Sequence, residues 1–246
     1  MAGLNEFFFN KLKEGTMHMS LLDPEGLSPE AAADIAKRVQ AAGTDAFMIG
    51  GSTGVTSKNL EEVTVAVKKA TGLPVIYFPS DPSAFTDEVD GMFFMSIVNS
   101  TDPNYIIGYH AMVSPFVKEL GLECISMAYI IVEPGMTVAR VSKAKCVERD
   151  DLALAAGYAL AAEYMGFKLI YLEAGSGADK PVPPEMIRAV KEAVKIPVIV
   201  GGGIRTPEAA TAARNAGADA IVTGTFVENC KDDTILNSVV HAAKGL

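Results

Sequence analysis

Residues 196–224 read IPVIVGGGIRTPEAATAARNAGADAIVTG, and this stretch contains one complete strand–helix–strand unit. Short β-branched runs at Val198–Val200 and Ala220–Val222 predict two buried strands. Between them, Thr206-Pro207-Glu208 is a helix N-cap followed by proline at the first helical position, and Gly217 follows the end of the predicted helix. Buried strands joined by a helix are typical of parallel α/β folds.

The same unit recurs along the chain. GTDAFMIG at Gly43–Gly50 resembles GADAIVTG at Gly217–Gly224, and LPVI at Leu73–Ile76 resembles IPVI at Ile196–Ile199. With the two strands above, six further apolar runs complete a set of eight predicted strands: Met17–Leu22, Ala46–Ile49, Val75–Phe78, Met92–Val98, Cys124–Val132 and Leu169–Leu172. Amphipathic segments between them predict helices at Pro29–Ala42, Leu60–Ala70, Asp150–Met165, Pro184–Val194 and Pro207–Ala216.

Eight buried strands, each leading into a connector, predict an α/β protein closed into a single (β/α)8 TIM barrel that spans residues 1–246. The third connection, Ser80–Asp90, is short and carries Pro82, so its helix is expected to be reduced or absent. A doubly wound open sheet is the alternative. Such a sheet has its glycine-rich turn after the first strand, whereas the glycine-rich turns here come late, which favours the barrel.

Composition excludes several classes of protein. The 246 residues are 49% hydrophobic and 21% charged, which indicates a folded chain with an ample core. The net charge of −9 argues against a nucleic-acid-binding protein, so a bound anion would have to be held by a local site. Three cysteines without a CxxC motif, no basic leader and no long apolar run lead us to expect a cytoplasmic protein.

The carboxyl ends of the last three strands carry the glycines of a predicted phosphate site. Active sites of βα-barrels lie at this end of the strands, and phosphate is commonly bound after strands 7 and 8. The three segments are Tyr171–Gly177, Gly201–Ile204 and Gly224-Thr225. Glycines let backbone N–H groups approach oxygens closely, so these segments predict a phosphate cradle made of backbone dipoles. Taken alone, each could equally be a tight turn.

Glu173 is the candidate for proton transfer. It lies two residues beyond Tyr171, so both side chains point to the same side of strand 6, beside the predicted phosphate site. A carboxylate in that position is suited to act as a general base. The alternative is a structural ion pair with Lys168 or Arg205.

Asp23 and Ser52 are the candidates for a magnesium site. Asp23 follows strand 1, and Ser52 and Thr53 follow the neighbouring strand 2. Magnesium often keeps its waters and takes one or two protein ligands together with substrate phosphates, so this small donor set could hold it. Asp23-Pro24 could equally be an ordinary turn.

These motifs together resemble the geranylgeranylglyceryl phosphate synthases, a family of PcrB-like prenyltransferases. The resemblance extends from strand 1 to strand 8. It is carried by Leu22-Asp23-Pro24, Gly50-Gly51-Ser52-Thr53, Phe93–Ser100, Pro134–Val138, Tyr171–Gly177, Gly201–Arg205 and Gly224-Thr225.

The resemblance implies an activity and a set of site residues. Such an enzyme joins the 3-hydroxyl of sn-glycerol 1-phosphate to C1 of geranylgeranyl diphosphate, releases diphosphate and forms the first ether bond of archaeal lipids. By position, Asp23 and Ser52 would bind Mg²⁺, and Glu173 would take the hydroxyl proton. The glycerol phosphate site would comprise Tyr171, Leu172, Glu173, Ala174, Gly175, Ser176, Gly177, Gly202, Gly203, Gly224 and Thr225.

The resemblance also implies a hydrocarbon-binding groove and an assembly. The groove is expected where the third connection is short, near Phe78, Phe85 or Tyr105. A homo-oligomer, dimeric or hexameric, is expected, and so is transient association with the membrane that receives the product. Some hexameric relatives carry an aromatic residue within 137–141, where this chain has Val138-Ala139-Arg140.

Two other functions are compatible with a phosphate-binding barrel. One is a lyase or isomerase, although such enzymes place a catalytic lysine or paired carboxylates at several strand ends, and no such lysine is predicted here. The other is a non-catalytic protein that binds a phosphorylated metabolite or flavin. It would be stabilised by its ligand without turnover and without magnesium.

Overall fold

Eight parallel strands pair in chain order and the eighth closes on the first, as expected for a TIM barrel. The computed structural model describes residues 3–80 and 82–246. The strands are β1 Met17–Leu22, β2 Ala46–Ile49, β3 Val75–Tyr77, β4 Gly91–Ile97, β5 Cys124–Ile131, β6 Leu169–Glu173, β7 Val198–Gly201 and β8 Ala220–Thr223. The prediction of a closed barrel is thus confirmed, and the open-sheet alternative is wrong.

Helices cover the outside of the barrel. They are α1 Leu4–Glu14, α2 Pro29–Ala41, α3 Ser57–Thr71, α4 Tyr109–Glu119, α5 Met136–Ser142, α6 Leu152–Tyr164, α7 Pro184–Ala193, α8 Pro207–Asn215, α9 Thr225–Asn229 and α10 Asp233–Lys244. A π-helical turn, Asn104–Gly108, precedes α4. The predicted capping signals operate as expected, since the Ser28 and Thr206 hydroxyls accept from the N–H groups of Ala31 and Ala209.

The connection between β3 and β4 has no helix in its described residues, 78–80 and 82–90. This agrees with the expected reduced third helix. The predicted strand bounds differ by one residue at several ends. Phe78, Val98 and Val132 lie just beyond β3, β4 and β5, whereas β4 begins one residue earlier and β6, β7 and β8 end one residue later than predicted. The N–H groups of Phe78, Val98 and Val132 still donate to the neighbouring strand, so these strand ends differ by a single residue, which side-chain patterns do not resolve.

Alternation along the strands separates two kinds of core. Side chains such as Met19, Phe93 and Tyr171 fill the barrel interior, whereas Phe47 and Leu172 pack between the barrel and the helices. Helix α1 closes the lower end, where the ring of Phe8 lies edge-on to Phe93 with centroids 5.6 Å apart. The lower end is therefore sealed, and the cavity described below lies at the carboxyl ends of the strands.

Candidate active site

The turns after β6, β7 and β8 meet around one cavity. The hydroxyls of Ser176 and Thr225, from the first and third turns, are 2.7 Å apart. The Arg205 guanidinium, from the second turn, donates to the carbonyl oxygens of Gly177 and Ala178 at 2.6 and 2.8 Å. These bonds hold the three glycine-rich turns together as the sequence predicted.

Glycine is required in the second turn by both space and backbone angles. Gly202 and Gly203 have φ values of +83° and +73°. A Cβ at Gly203 would lie 2.8 Å from the carbonyl oxygen of Ala178, and one at Gly202 would overlap the carboxylate of Glu173. Among the described residues, the N–H groups of Gly177, Gly202 and Gly203 have no protein acceptor. Exposed N–H groups of this kind are suited to bind a phosphate.

Glu173 lies at the end of β6 with its carboxylate turned into the cavity. Its Oε1 accepts from the N–H of Gly175 at 2.6 Å, and the hydroxyls of Tyr129 and Tyr171 also hydrogen-bond to it. Burial raises the pKa of Glu173, and these three donors partly offset that effect. Burial also raises the pKa of both tyrosines well above the ordinary value, so each hydroxyl stays protonated near neutral pH.

The ion-pair alternative for Glu173 is wrong. Arg205 donates to backbone carbonyls of the β6 turn, and Lys168 has its Nζ 3.4 Å from Asn5 Oδ1 at the opposite end of the strand. The carboxylate of Glu173 is therefore held by neutral donors.

The side chains of Leu172 and Ala174 do not line the cavity, so any contact of these two residues with glycerol phosphate would be made by the main chain. Both side chains belong to the core between the barrel and the helices, because alternate residues of a strand face opposite sides. The N–H of Ala174 is also engaged with the carbonyl oxygen of Gly201 at 3.2 Å. Gly175 does not line the cavity either, but its N–H donates to the carboxylate of Glu173 and so helps to hold that side chain in place. The other predicted residues line the cavity: Tyr171, Glu173, Ser176, Gly177, Gly202, Gly203, Gly224 and Thr225.

The predicted metal residues lie across the barrel mouth from Tyr171. Asp23 and Ser52 line the same cavity, about 230 Å³ in volume, as Glu173. The Asp23 carboxylate lies so close to the β2 turn that a Cβ at Gly51 would overlap it. No group of three His, Cys, Asp or Glu side chains within 3–80 and 82–246 could hold a metal alone.

Glu228, on α9, is a cavity residue that the sequence did not indicate. One of its carboxylate oxygens accepts from the N–H of Asp23 at 2.8 Å. Burial raises the pKa of Glu228, this hydrogen bond partly offsets the effect, and repulsion by the Asp23 carboxylate adds a smaller increase. The larger pocket, on the Asp23 side of the cavity, is lined by three carboxylates, those of Asp23, Glu173 and Glu228, and by no Lys, Arg or His among its described residues, whereas Arg205 lines the smaller pocket at the glycine-rich turns. Two adjacent carboxylates with a nearby hydroxyl fit a hydrated divalent cation that also takes phosphate oxygens.

An apolar groove opens from the cavity and runs down the outer face of β4. The short third connection forms one wall and α4 the other, with Phe85, Phe94 and Val113 among the lining residues. Ile97 and Tyr105 line both the groove and the cavity, so the two are continuous. The structure thus places Phe85 and Tyr105 in the groove, as expected, and Phe78 in the cavity.

Comparison with known proteins shows to which family the chain belongs. The family model described as the PcrB family matches residues 10–243. The chain belongs to the PcrB family. Membership confirms the resemblance inferred from the motifs and makes the chain a prenyltransferase-type enzyme, not a lyase, an isomerase or a non-catalytic binder.

Named relatives of this PcrB-family chain agree with one another. A geranylgeranylglyceryl phosphate synthase of Thermococcus gammatolerans is 49% identical, covering 92% of this chain and 89% of its own. The synthase of Thermoplasma volcanium is 45% identical, with coverage of 96% and 94%.

Solved structures give the same result. The (S)-3-O-geranylgeranylglyceryl phosphate synthase of Thermoplasma acidophilum, solved in complex with its substrate sn-glycerol-1-phosphate, superposes on this PcrB-family chain with a TM-score of 0.95. It is 43% identical, with 100% of each chain covered. A thiamine phosphate pyrophosphorylase of Pyrococcus furiosus, 17% identical with a TM-score of 0.59 and coverage of 97% and 98%, shares the fold alone.

Proposed function

We propose that this chain transfers the geranylgeranyl group of geranylgeranyl diphosphate to the 3-hydroxyl of sn-glycerol 1-phosphate. The reaction forms the C–O bond of 3-O-geranylgeranylglyceryl 1-phosphate, breaks the C1–O bond of the donor and releases diphosphate. One observation carries the proposal: the buried Glu173 lines both the glycine-rich cradle and the cavity that leads into the apolar groove. The family relatives' name and the bound substrate of the Thermoplasma acidophilum enzyme support the same reaction.

The cradle would take the phosphate of the glycerol substrate. The N–H groups of Gly177, Gly202 and Gly203 and the hydroxyls of Ser176 and Thr225 supply donors without net charge. Arg205, which lines the same part of the cavity, adds one positive charge. Holding the phosphate here fixes the distance of the 3-hydroxyl from Glu173, so that the cradle acts by orientation.

Glu173 would remove the proton of the 3-hydroxyl as its oxygen attacks C1 of the donor. A raised pKa makes this carboxylate a stronger base than an exposed one when it is ionised. The hydroxyls of Tyr129 and Tyr171 donate to it and keep it pointed at the cavity.

The diphosphate of the donor would lie near Asp23, Ser52 and Glu228. A bound Mg²⁺ would stabilise the negative charge that develops on the leaving diphosphate. Asp23 and Ser52 would provide ligand oxygens, while Glu228 keeps the β1 turn in place through its bond to the Asp23 N–H. With three carboxylates around the cavity, a donor diphosphate would be repelled unless a cation accompanied it.

The cellular location and the oligomeric state of the chain are also proposed here. Among the described residues, no helix is both long and apolar enough to cross a bilayer. We propose a cytoplasmic homo-oligomer that associates transiently with the membrane receiving the product. Apolar side chains exposed beside the groove, Ile107 and Met112, support the membrane association. Co-sedimentation with archaeal-lipid vesicles, with an Ile107→Ser/Met112→Ser variant as comparison, tests it.

A donor and acceptor matrix tests the reaction. Purified protein is mixed with radiolabelled prenyl diphosphates of increasing length and with each enantiomer of glycerol phosphate, with and without EDTA. We expect Mg²⁺-dependent transfer to sn-glycerol 1-phosphate with geranylgeranyl diphosphate. Absence of product with every donor would overturn the proposed reaction, and full activity in EDTA would overturn the magnesium requirement alone.

A further inference from the structure

We propose that Glu228 is a positioning residue through which the short helix α9 links the phosphate cradle to the β1 turn, Asp23–Gly26. Glu228 fixes the β1 turn, and with it the donor diphosphate, relative to the glycerol substrate. The inference rests on the proposed function, because the cradle and the β1 turn are the proposed sites of the two substrates. It goes beyond that function by naming the residue that connects one site to the other.

Helix α9 presents a side chain to each of the two proposed sites. It spans Thr225–Asn229 and follows Gly224 at the end of β8. Thr225, its first residue, lines the cradle, where its hydroxyl lies 2.7 Å from that of Ser176. Glu228, three residues later, lines the larger pocket together with Asp23. Residues three apart on a helix are neighbours on one face, so both side chains reach the same cavity.

The contact of Glu228 with the β1 turn is made to the main chain. Its carboxylate accepts from the N–H of Asp23 at 2.8 Å, where the chain leaves β1. Within the turn, Oδ1 of Asp23 accepts from the N–H of Glu25 at 3.0 Å. The bond to Glu228 therefore fixes the backbone from which the proposed metal ligand extends, and the side chain of Asp23 stays available.

The body of α9 is held firmly enough to transmit position between the two sites. Val227 is fully buried in the core between the barrel and the helices, and Phe226 packs against the same core. The N–H of Val227 donates to the carbonyl oxygen of Gly224 at 2.9 Å, which ties the helix to the cradle. Packed side chains and hydrogen bonds of this kind carry coupling between sites. A phosphate that orders the cradle therefore also steadies the β1 turn through Glu228.

Amide hydrogen exchange tests the link without requiring turnover. sn-Glycerol 1-phosphate, or inorganic phosphate as a smaller probe, is added to wild type, Glu228→Ala and Glu228→Gln, and exchange is followed in the peptide that contains Asp23–Gly26. Glutamine keeps an oxygen that can accept from the Asp23 N–H, whereas alanine has none. Both probes should slow exchange in wild type and Glu228→Gln by at least about fivefold, the lower end of ordinary coupling between sites, but not in Glu228→Ala.

Single-turnover rates test the consequence for the reaction. Glu228→Ala should lower the rate about 10²-fold, the cost of a displacement of ~1 Å, and Glu228→Gln should recover at least about tenfold of that loss. The dissociation constants of sn-glycerol 1-phosphate and of the donor with Mg²⁺ should each stay within about threefold of wild type, because the lost interaction acts on the transfer step.

Asn229→Ala is the control for the integrity of α9. The Asn229 amide donates to the carbonyl oxygen of Thr225 within the helix, and Asn229 lines neither pocket. Its single-turnover rate should stay within about twofold of wild type, since neither proposed site is displaced.

The inference is overturned if phosphate leaves exchange of the β1 turn unchanged in wild type, or slows it equally in Glu228→Ala. It is also overturned if Glu228→Gln is as slow as Glu228→Ala, or if Asn229→Ala loses as much rate. A loss in Glu228→Ala that consists only of weaker binding of one substrate has the same meaning. Wild type that yields no ether product contradicts the proposed function, and the exchange experiment still decides whether Glu228 links the two sites.

Discussion

Glu173 shows how one strand position can hold a buried base without a cationic partner. Burial raises its pKa, and the donors Gly175, Tyr129 and Tyr171 each act in the opposite direction. Because all three donors are neutral, the carboxylate keeps the proton affinity that a general base needs. An arginine in their place would stabilise the ionised form and weaken the base.

Replacing the base with its amide tests this role. Glu173→Gln should lower kcat by about 10²- to 10⁴-fold, the usual contribution of a positioned proton acceptor. The phosphate cradle remains, so the dissociation constant for sn-glycerol 1-phosphate should change little. Calorimetry and single-turnover rates measure the two quantities. Unreduced turnover in Glu173→Gln would rule out proton transfer by this residue.

Tyr129→Phe tests the electrostatics of the same site. The hydroxyl of Tyr129 lowers the pKa of Glu173, so its removal should raise that pKa further. The base works only when ionised, and therefore activity is lost as pH falls through the pKa. The acidic limb of the kcat/KM profile should move to higher pH. Tyr164→Phe, a change on an exposed side chain of α6, should leave the limb in place; a limb that moves to lower pH in Tyr129→Phe contradicts the assignment.

The sequence predicted Glu173 but missed Tyr129 and Glu228, for a physical reason. Glu173 follows from the alternation of one strand and its position at a strand end. Tyr129 meets it from β5, and Glu228 meets Asp23 from a five-residue helix, so both contacts depend on neighbours in space. Leu172 was included because a motif is a continuous run, whereas alternate side chains of the strand face the cavity and its own side chain faces the outer core.

At the scale of elements, periodic patterns predicted the strands and the main helices, but they did not predict the segments without a regular pattern. The Phe7-Phe8-Phe9 run lies outside every helix and strand that the sequence predicted, yet it belongs to α1, which closes the barrel through Phe8. The π-helical turn Asn104–Gly108 was not predicted either, since no local sequence rule specifies i→i+5 bonding. The lack of a helix in the described residues of the third connection agrees with the prediction, which rested on Pro82 and on the shortness of the segment.

Strand β1 carries a buried histidine that makes the fold sensitive to acid. The His18 ring bonds the hydroxyls of Thr44 and Thr223 at 3.0 Å each, and burial lowers its pKa from 6.5 to about 4. The unfolded chain thus binds the proton more readily than the folded one. The stability from this residue is complete above pH 6.5 and is lost as pH falls toward 4.

We expect this loss to reach about 3 kcal/mol, the free energy that corresponds to a pKa difference of that size. Urea unfolding at several pH values between 7.5 and 4 measures it. His18→Gln should be less stable at neutral pH and show a shallower pH dependence than wild type. His241→Gln, on the exposed side of α10, should keep the wild-type slope. Parallel slopes for wild type and His18→Gln would contradict the assignment.

At the scale of the whole molecule, the net negative charge opposes the binding of negatively charged substrates. The chain carries −9 and yet is proposed to bind two phosphate-bearing substrates. Bulk attraction cannot bring them in, so recognition would fall to the N–H groups of the cradle, to Arg205 and to a divalent cation. Association should therefore depend weakly on salt but strongly on free Mg²⁺.

Helix α6 is the surface through which we expect two copies of this chain to associate. Its sequence, LALAAGYALAAEY, is apolar on nearly every side, although only Ala155, Ala159 and Ala162 are buried against the barrel. Tyr164 and Met165 are 81% and 75% exposed. A helix that is apolar all round is normally covered, and a second copy of this chain would cover it.

Size-exclusion chromatography with light scattering should give a mass of two or six chains for wild type. Tyr164→Glu would place a charge in that contact and should shift the mass toward one chain, whereas Ile235→Glu, at an exposed apolar position on α10, should not. A monomeric wild type, or an unchanged mass in Tyr164→Glu, would show that α6 is not the contact, and the apolar surface would then have to be covered by something other than this chain.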